Sequence, residues 1–474
     1  MAAIPTDIGT EEFSRGYRAW MLFILMMMNA LNLADRQGLA AVAPSLKRDL
    51  HLSDTELGII QGLGFAIFYT LLGLPIARLA ERHNRARIIA VSIAVFSAFG
   101  GLASQVRSFG ALLLCRIGVG MGDAGAIGPP LYSLLGDHYP AGKRGAATTV
   151  IWLGAPIGAL TGAVIGGWTA QNSHWQNWFI GLAIPGFLAA LLAAFTLREP
   201  RRGRFDIGGM ARGPIPSLRE TMGFLFGKRS MRHVLLGAAF SAIALNGMGQ
   251  FFARYFVAVF HVGPGQAGRM LGMLVVVAMS SGLIIGGFGV DWAIKRDRRW
   301  YVWLPSIALV IAMPLFELGL FQATPGAAMA ILLPAHIALF VFYTPTLAIA
   351  QNMVSSTMRA SSSFTVNIVF GLVGIGLGPM VVGIISDLAA RQYFGRGALA
   401  GAGSFAAQCP GGAARPGTSA DLATACMASS SYGIKIAMGS VCVLLLWGAL
   451  HYFLAARTLR DDLDAHYRPG GGAA

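Results

Sequence analysis

The chain has 474 residues, 55% of them hydrophobic and only 12% charged, with a formal net charge of +15 and a mean hydropathy of +0.62. A soluble domain carries about 25% charged residues, so a soluble globular protein is excluded and an all-α, multi-pass membrane protein is expected. The basic excess then belongs to cytoplasmic loops under the positive-inside rule, not to a nucleic-acid surface, and no nucleic-acid-binding pattern is present.

Residues 1–16 form a polar tail with Asp7, Glu11 and Glu12. It lacks the basic region and small-residue cleavage site of a signal peptide, so it is expected to stay in the cytoplasm. Twelve apolar segments then follow, at 17–41, 55–77, 87–106, 109–136, 145–168, 177–197, 233–260, 267–292, 300–321, 326–350, 360–387 and 433–456. Each has the roughly 20 residues a helix needs to cross a bilayer. The first six make one bundle, 17–197. A Pro/Arg-rich cytoplasmic loop, 198–232, carries an amphipathic piece around Leu218–Phe226 that suits a membrane surface. The second bundle spans 233–457 and includes an external loop, 388–432; residues 458–474 form a cytoplasmic tail. That external loop is rich in Gly, Ala and Ser and is expected to be flexible. It holds Cys409 and Cys426, which can pair if it faces an oxidising side; Cys115 and Cys442 lie in spans as packing residues.

Charge tests the topology. With both termini in the cytoplasm, 25 of the 36 Lys and Arg residues fall on or near that side and nine on or near the other, and the last two, Arg36 and Arg116, lie well inside spans 1 and 4. This bias supports the orientation, and the cell (inner) membrane is the expected location. An internal repeat supports the six-plus-six division. After span 2 comes Ala77-Arg-Leu-Ala-Glu81-Arg82-His-Asn-Arg85, and after span 8 comes Gly287-Phe-Gly-Val-Asp291-Trp-Ala-Ile-Lys295-Arg296. Each places a small residue four before an acid and a base four after it. Small-residue ridges occur in matching spans: Gly154, Gly158, Gly162 and Gly166 in span 5, Gly58 and Gly62 in span 2, Gly282 and Gly286 in span 8, Gly374 and Gly378 in span 11. Such ridges let helix backbones approach closely, and they are expected to form a moving seam between the halves.

Four ionisable residues of spans 1 and 4 carry the argument: Asp35 and Arg36 in span 1, Arg116 and Asp123 in span 4. Arg116 and Asp123 are two helical turns apart and share a face. A charge inside a span costs roughly 3 kcal/mol or more unless it meets a partner or water, so the four are expected to line a water-accessible interior. Depth along the helices makes an Asp35–Arg116 pair sterically reasonable and sets Asp123 nearer the midplane, where coupling sites of transporters lie. Burial and neighbouring charge act oppositely on a carboxylate. Asp35, beside arginines, is expected to hold its charge, while Asp123, with no cation within a turn of its own helix, is the better candidate for reversible protonation. The plainer alternative is a structural network pinning spans 1 and 4. Neutral candidates for the interior are Asn29 and Asn32 (span 1), Asn246 and Gln250 (span 7), Tyr343 and His336 (span 10) and Asn367 (span 11), and Glu317 sits near the end of span 9. Glu81, Arg82, Arg85, Asp291, Lys295 and Arg296 lie at cytoplasmic helix ends, where carboxylates cap a facing helix and pair with loop bases. They are expected to form a cytoplasmic gate.

No P-loop, HExxH, GxSxG or metal-spaced His/Cys cluster occurs, so no cofactor, metal, ATP-driven step or enzymatic activity is expected. Apart from the tails and two long loops, the chain resembles the major facilitator superfamily, through the Glu81-Arg82-His-Asn-Arg85 loop with Ala77 and Asn84 where glycines are usual. Within it the chain resembles the Spinster branch. That likeness rests on Asp35-Arg36, Arg116-Ile-Gly-Val-Gly120-Met-Gly122-Asp123, Tyr139-Pro140 with Lys143-Arg144-Gly145, Gly154-Ala-Pro156-Ile-Gly158 and Lys295-Arg296-Asp297-Arg298-Arg299-Trp300. Aspartate stands at 123 where that branch has glutamate, one methylene shorter in reach. The resemblance implies twelve helices in two pseudo-symmetric six-helix bundles, a monomer in membrane lipid, and a proton-linked secondary transporter of sphingolipid- or lysophospholipid-like amphiphiles. Two alternatives stay open: an exchanger or symporter of small organic anions, with Arg36 and Arg116 as carboxylate clamps, and a non-transporting receptor or scaffold.

Overall fold

The computed structural model describes residues 13–201, 217–354, 358–397 and 403–467. The tail acids Asp7, Glu11 and Glu12, most of the central loop and the end of the C-terminal tail lie outside the described residues. Among the described residues there are twelve helices long and apolar enough to cross a membrane. They run Arg15–Asp49, Asp54–Arg82, Arg85–Gln105, Phe109–His138, Lys143–Asn172, Gln176–Thr196, Arg229–Phe260, Pro264–Ala293, Trp300–Leu320, Pro325–Asn352, Ser361–Arg396 and Ala420–Leu463, spans 1 to 12. In hydrocarbon every backbone group must bond internally, which leaves helices as the way across for such a chain.

The starts of the helices are written in local chemistry. Ser14, Ser108, Thr324 and Ser419 each accept a bond from a first-turn N–H, and Ser53 with Glu56 forms a reciprocal capping box at the start of span 2. Such caps are worth about 1 kcal/mol each. Breaks are equally local. Span 4 stops at Ile127–Gly128 and restarts on Pro129. Spans 2 and 11 widen to π-helical winding at Ile59–Leu63 and Val369–Leu377.

Four boundaries differ from expectation by more than five residues. Span 1 runs on to Asp49, span 11 runs to Arg396, and span 12 starts at Ala420 and runs to Leu463. The expected flexible loop 388–432 therefore shrinks to the segment between Arg396 and Ala420. The Ser419 cap with Asp421 in the first turn and the alanine-rich run after it favour helix without being apolar enough to read as a span. What remains is tied by a Cys409–Cys426 disulfide.

Trp20 Nε1 donates to Thr196 Oγ1 at 2.9 Å and Ser230 Oγ to Asp462 Oδ2 at 2.5 Å. The beginnings of spans 1 and 7 thus share one face with the ends of spans 6 and 12, here called the terminal face; the opposite one is the distal face. The halves meet along spans 1, 2 and 5 of the first and 7, 8 and 11 of the second. The packing concentrates distally. The terminal-side pieces 129–138 and 141–152 of spans 4 and 5 find no comparable packing on 343–352 and 359–368 of spans 10 and 11. The seam is closed at the distal face and open at the terminal face.

The glycine ridges divide differently from the expectation of one seam. Gly58 and Gly62 do meet span 11 across the halves, at Pro379 and Gly376. Gly154, Gly158 and Gly162 instead face Met26, Ala30 and Ala34 of span 1 in their own half, Gly374 and Gly378 face span 7, and Gly282 and Gly286 face span 10. The distal contact of spans 5 and 8 runs through Gly167, outside the four-residue ridge, against Gly268. A small-residue stripe permits close approach, but does not encode which neighbour takes it.

Candidate functional site

Spans 1 and 4 bring their charges together. Arg116 Nη1 donates to Asp35 Oδ2 at 2.7 Å, with the two residues 1% and 0% exposed. Phe65 of span 2 covers the pair: the guanidinium carbons of Arg116 and Arg36 lie 5.8 and 5.4 Å from its ring centre, a cation–π arrangement that strengthens as water is excluded. Asp35 Oδ1 and Arg116 Nε have no protein partner. Asp123, 4% exposed, forms no ion pair among the described residues. With Asn32, whose side chain is its hydrogen-bonding neighbour, it lines a small cavity walled by Met28, Leu31, Phe96 and Ile127. Arg36 is less buried than the other three and sits within electrostatic reach of Asp123, Arg116, Tyr69 and Asp35. The cluster therefore holds one closed ion pair and one looser carboxylate–guanidinium couple.

The second half contributes Tyr343, stacked on Phe370 with ring centres 4.5 Å apart and within electrostatic reach of Arg36 and Tyr132. The other sequence candidates scatter. Asn246 Nδ2 donates to Ala242 O of its own helix at 3.0 Å. Gln250 is buried, and its backbone oxygen accepts from Gln61 Nε2 at 3.4 Å. Asn367 is exposed, and Asn29 donates to Ile151 O at 3.1 Å. His336 is buried in the second half, edge-on to Phe252, Phe316 and Phe340, as a packed histidine. Glu317 lies against Gly439 of span 12.

On the terminal face Glu81, Arg82, Asp291, Lys295 and Arg296 are all exposed, and among the described residues neither acid forms an ion pair. Arg296 stacks on Trp292 at 4.2 Å. Arg85 does not join them. It is buried within the first half, 2.6 Å from both Asp137 Oδ2 and Glu199 Oε1 and 2.9 Å from Ser133 Oγ, tying the start of span 3 to the ends of spans 4 and 6.

Sequence reasoning missed two groups. One is a set of aromatic contacts, in which Phe65 stacks on Tyr69 at 5.5 Å and Trp152 Nε1 donates to Tyr132 at 3.2 Å. The other is a latch across the distal seam. Asp54, at the start of span 2, takes Lys47 Nζ at 2.6 Å, Arg254 Nε of span 7 at 3.3 Å and the Ser386 hydroxyl of span 11 at 2.6 Å. Arg254 also donates to Ser430 of span 12. Asp387 of span 11 in turn accepts from the N–H groups of Asp54 and Thr55, at 3.0 and 2.8 Å, and from the Thr55 hydroxyl at 2.6 Å. It caps the first turn of a helix in the other half, where a negative charge meets the positive end of the helix dipole. The pseudo-symmetric site repeats the device: Gln171 of span 5 accepts from Gly265 N–H at the start of span 8, at 2.9 Å. The readable signal was the Ser53-Asp54-Thr55-Glu56 cap beside the Ser386-Asp387 pair, polar residues where two spans end.

The comparisons agree with this geometry. The sequence profile described as Major Facilitator Superfamily matches residues 25–379. A crystal structure described as a bacterial homologue of the human lysosomal transporter Spinster, inward-facing and unoccupied, superposes with a TM-score of 0.87 at 28% identity, covering 95% of this chain and 99% of that one. An MFS-type efflux pump of Mycolicibacterium smegmatis is 29% identical over 81% of this chain and 88% of its own length. A hexuronate transporter of Bacillus subtilis is 26% identical over 77% and 87%, and the sphingosine-1-phosphate transporter SPNS2 of Danio rerio is 24% identical over 78% and 76%. Twelve spans in two halves, a charge cluster between spans 1 and 4 and a family match over most of the chain lead to one conclusion: this protein belongs to the major facilitator superfamily, as a transporter related to the Spinster proteins.

Proposed function

We propose that the chain is a proton-coupled secondary transporter of an amphiphilic, lipid-like substrate of lysophospholipid or sphingolipid type, working by alternating access. The observation that carries the reading is the inequality of the two buried carboxylates. Asp35 is committed to Arg116, whereas Asp123 borders a small cavity without an ion pair of its own, within electrostatic reach of Arg36. Protonation of Asp123 releases Arg36 to an anionic headgroup, and the tyrosine- and phenylalanine-lined space around Tyr69, Tyr132, Tyr343 and Phe370 takes the apolar part. Asn32 orients Asp123, while Asn246, Gln250 and Asn367 border the path from the second half. The proton drives the cycle only through its different affinity for the two states.

In this reading the terminal face is cytoplasmic, in the inner membrane, and the closed distal latch marks an inward-facing monomer. Glu81, Arg82, Asp291, Lys295 and Arg296 pair across the terminal face in the opposite state, with Arg85 holding its own half rigid. The hexuronate relative favours one competing substrate class, a small organic anion clamped by arginine. The closed Asp35–Arg116 pair weighs against a two-arginine clamp, leaving Arg36 alone.

The test is proton flux in proteoliposomes, with lysophospholipids and hexuronates added in turn to the wild type and to Asp123→Asn. Lysophospholipid-driven flux that disappears in the variant is the expected result. Flux with hexuronates alone replaces the substrate class. Lysophospholipid-driven flux unaltered in the variant removes Asp123 as the coupling group.

A further inference from the structure

A crevice on the membrane-facing side lies between spans 8 and 10, away from the charge cluster. Its lining is Arg269, Met270 and Met273 of span 8 and Met329, Ala330 and Leu333 of span 10. Arg269 is exposed and forms no ion pair or hydrogen bond among the described residues. It stands five residues into a span that starts at Pro264, about 8 Å below the distal end of the helix at 1.5 Å per residue. A 30-residue helix is about 45 Å long and overhangs a hydrocarbon core of about 30 Å at both ends, so Arg269 stands at the level of the distal headgroups, where its guanidinium meets lipid phosphates.

The lining is graded with depth. Arg269 and Met329 lie at the mouth, each about one turn inside its helix end. Met273 and Leu333, one turn deeper, leave only apolar surface, and Met273 is 54% exposed. A polar entrance of single positive charge over a methionine-rich slot matches an amphiphile with a phosphate at one end and a hydrocarbon chain at the other. Methionine suits such a slot because its flexible thioether follows irregular chains, and arginine suits phosphate through its planar fork. No acidic side chain lines the crevice to hold the cationic end of a zwitterionic headgroup, so the charge balance favours a lipid of net negative charge.

From these features we infer that the crevice is a binding site for an anionic diacyl phospholipid of the distal leaflet, its phosphate on Arg269 and one acyl chain along Met273 and Leu333. The site bears on the seam. The first turn of span 8 is where Gln171 bonds Gly265 and Gly167 meets Gly268, so a lipid wedged behind span 8 braces the distal closure from the membrane side. The binding claim stands independently of what the protein transports.

The experiment is native mass spectrometry of the full chain released from nanodiscs of phosphatidylcholine with or without phosphatidylglycerol. Arg269→Gln, Arg269→Lys and the slot-filling Met273→Trp are run alongside. The expected result is a retained phosphatidylglycerol adduct on the wild type, reduced at least fivefold in Arg269→Gln and Met273→Trp and less in Arg269→Lys. Equal retention of the two lipids overturns the inference, because an arginine that merely reaches water would not select charge. Equal phosphatidylglycerol retention in wild type and Arg269→Gln overturns it too. A retained single-chain lipid would reassign the crevice to substrate, and a mass doubled by a second copy would reassign it to an interface; either outcome defeats the diacyl assignment.

Discussion

Replacing Asp387 by Asn tests the distal latch most directly. In the closed form the Asp387 carboxylate accepts three hydrogen bonds from the first turn of span 2, at 3.0, 2.8 and 2.6 Å, across the boundary between the halves. Hydrogen bonds to a charged group are each worth about 1.5–3 kcal/mol, and a negative charge at a helix start adds about 0.3–1 kcal/mol. Asparagine keeps the shape, loses the charge and turns one acceptor into a donor that faces the Asp54 or Thr55 N–H. The closed state should therefore weaken by about 2–4 kcal/mol, taking one or two bonds as lost. At 1.4 kcal/mol per tenfold, that shifts the closed-to-open ratio by roughly 30- to 700-fold. Spin labels on Arg107→Cys and Ala323→Cys, exposed sites on distal loops of different halves, report the separation in nanodiscs. Cys115 and Cys442 are buried and the other two cysteines are paired, so labelling is specific. The expected result is a new, longer distance in Asp387→Asn. An unchanged distribution in a monodisperse variant would refute the latch as a determinant of state.

Further expectations separate conformational from structural roles. Gly62→Ala should also open the distal seam, because the added Cβ would lie 2.6 and 2.7 Å from the Gly376 and Ile375 carbonyl oxygens of the other half; a label separation like that of wild type would count against this. Arg85→Gln should lower stability by about 3–5 kcal/mol, the cost of stranding buried partners, yet leave the label distances unchanged, since Asp137 and Glu199 belong to the same half. Thermal unfolding in detergent with the distance measurement distinguishes the two effects. Arg116→Gln should be destabilised by about 3–5 kcal/mol through the unpaired Asp35. Adding Asp35→Asn should recover much of that; a double variant no more stable than Arg116→Gln would deny the pair its private character.

Periodicity and charge carried much of the architecture. Roughly 20-residue apolar runs must become helices in lipid, and the repeated acid–base loops after spans 2 and 8 marked two halves. Loop 388–432 misled because a helix that projects beyond the bilayer needs propensity and a cap, here Ser419 and the alanines after it, and not hydropathy. Among the charges, the meeting of Asp35 and Arg116 was legible, since two opposite charges at similar depth in a low-dielectric interior have strong reason to find each other. The fate of Asn246 was less so, because an isolated amide in a helix bonds a backbone carbonyl wherever one is free, here that of Ala242.

Sequence by itself thus determined the number of spans, the division into halves, the family resemblance and the four charges that no lipid-facing surface would keep. Tertiary structure alone decided which neighbour each glycine ridge approaches, that Arg85 serves one half, and that Asp54 and Asp387 join the two. The physical reason is range. Helix formation, capping and burial in lipid depend on residues within a few positions along the chain, whereas the latch pairs residues 54 and 387, whose proximity exists only once both bundles have folded and closed.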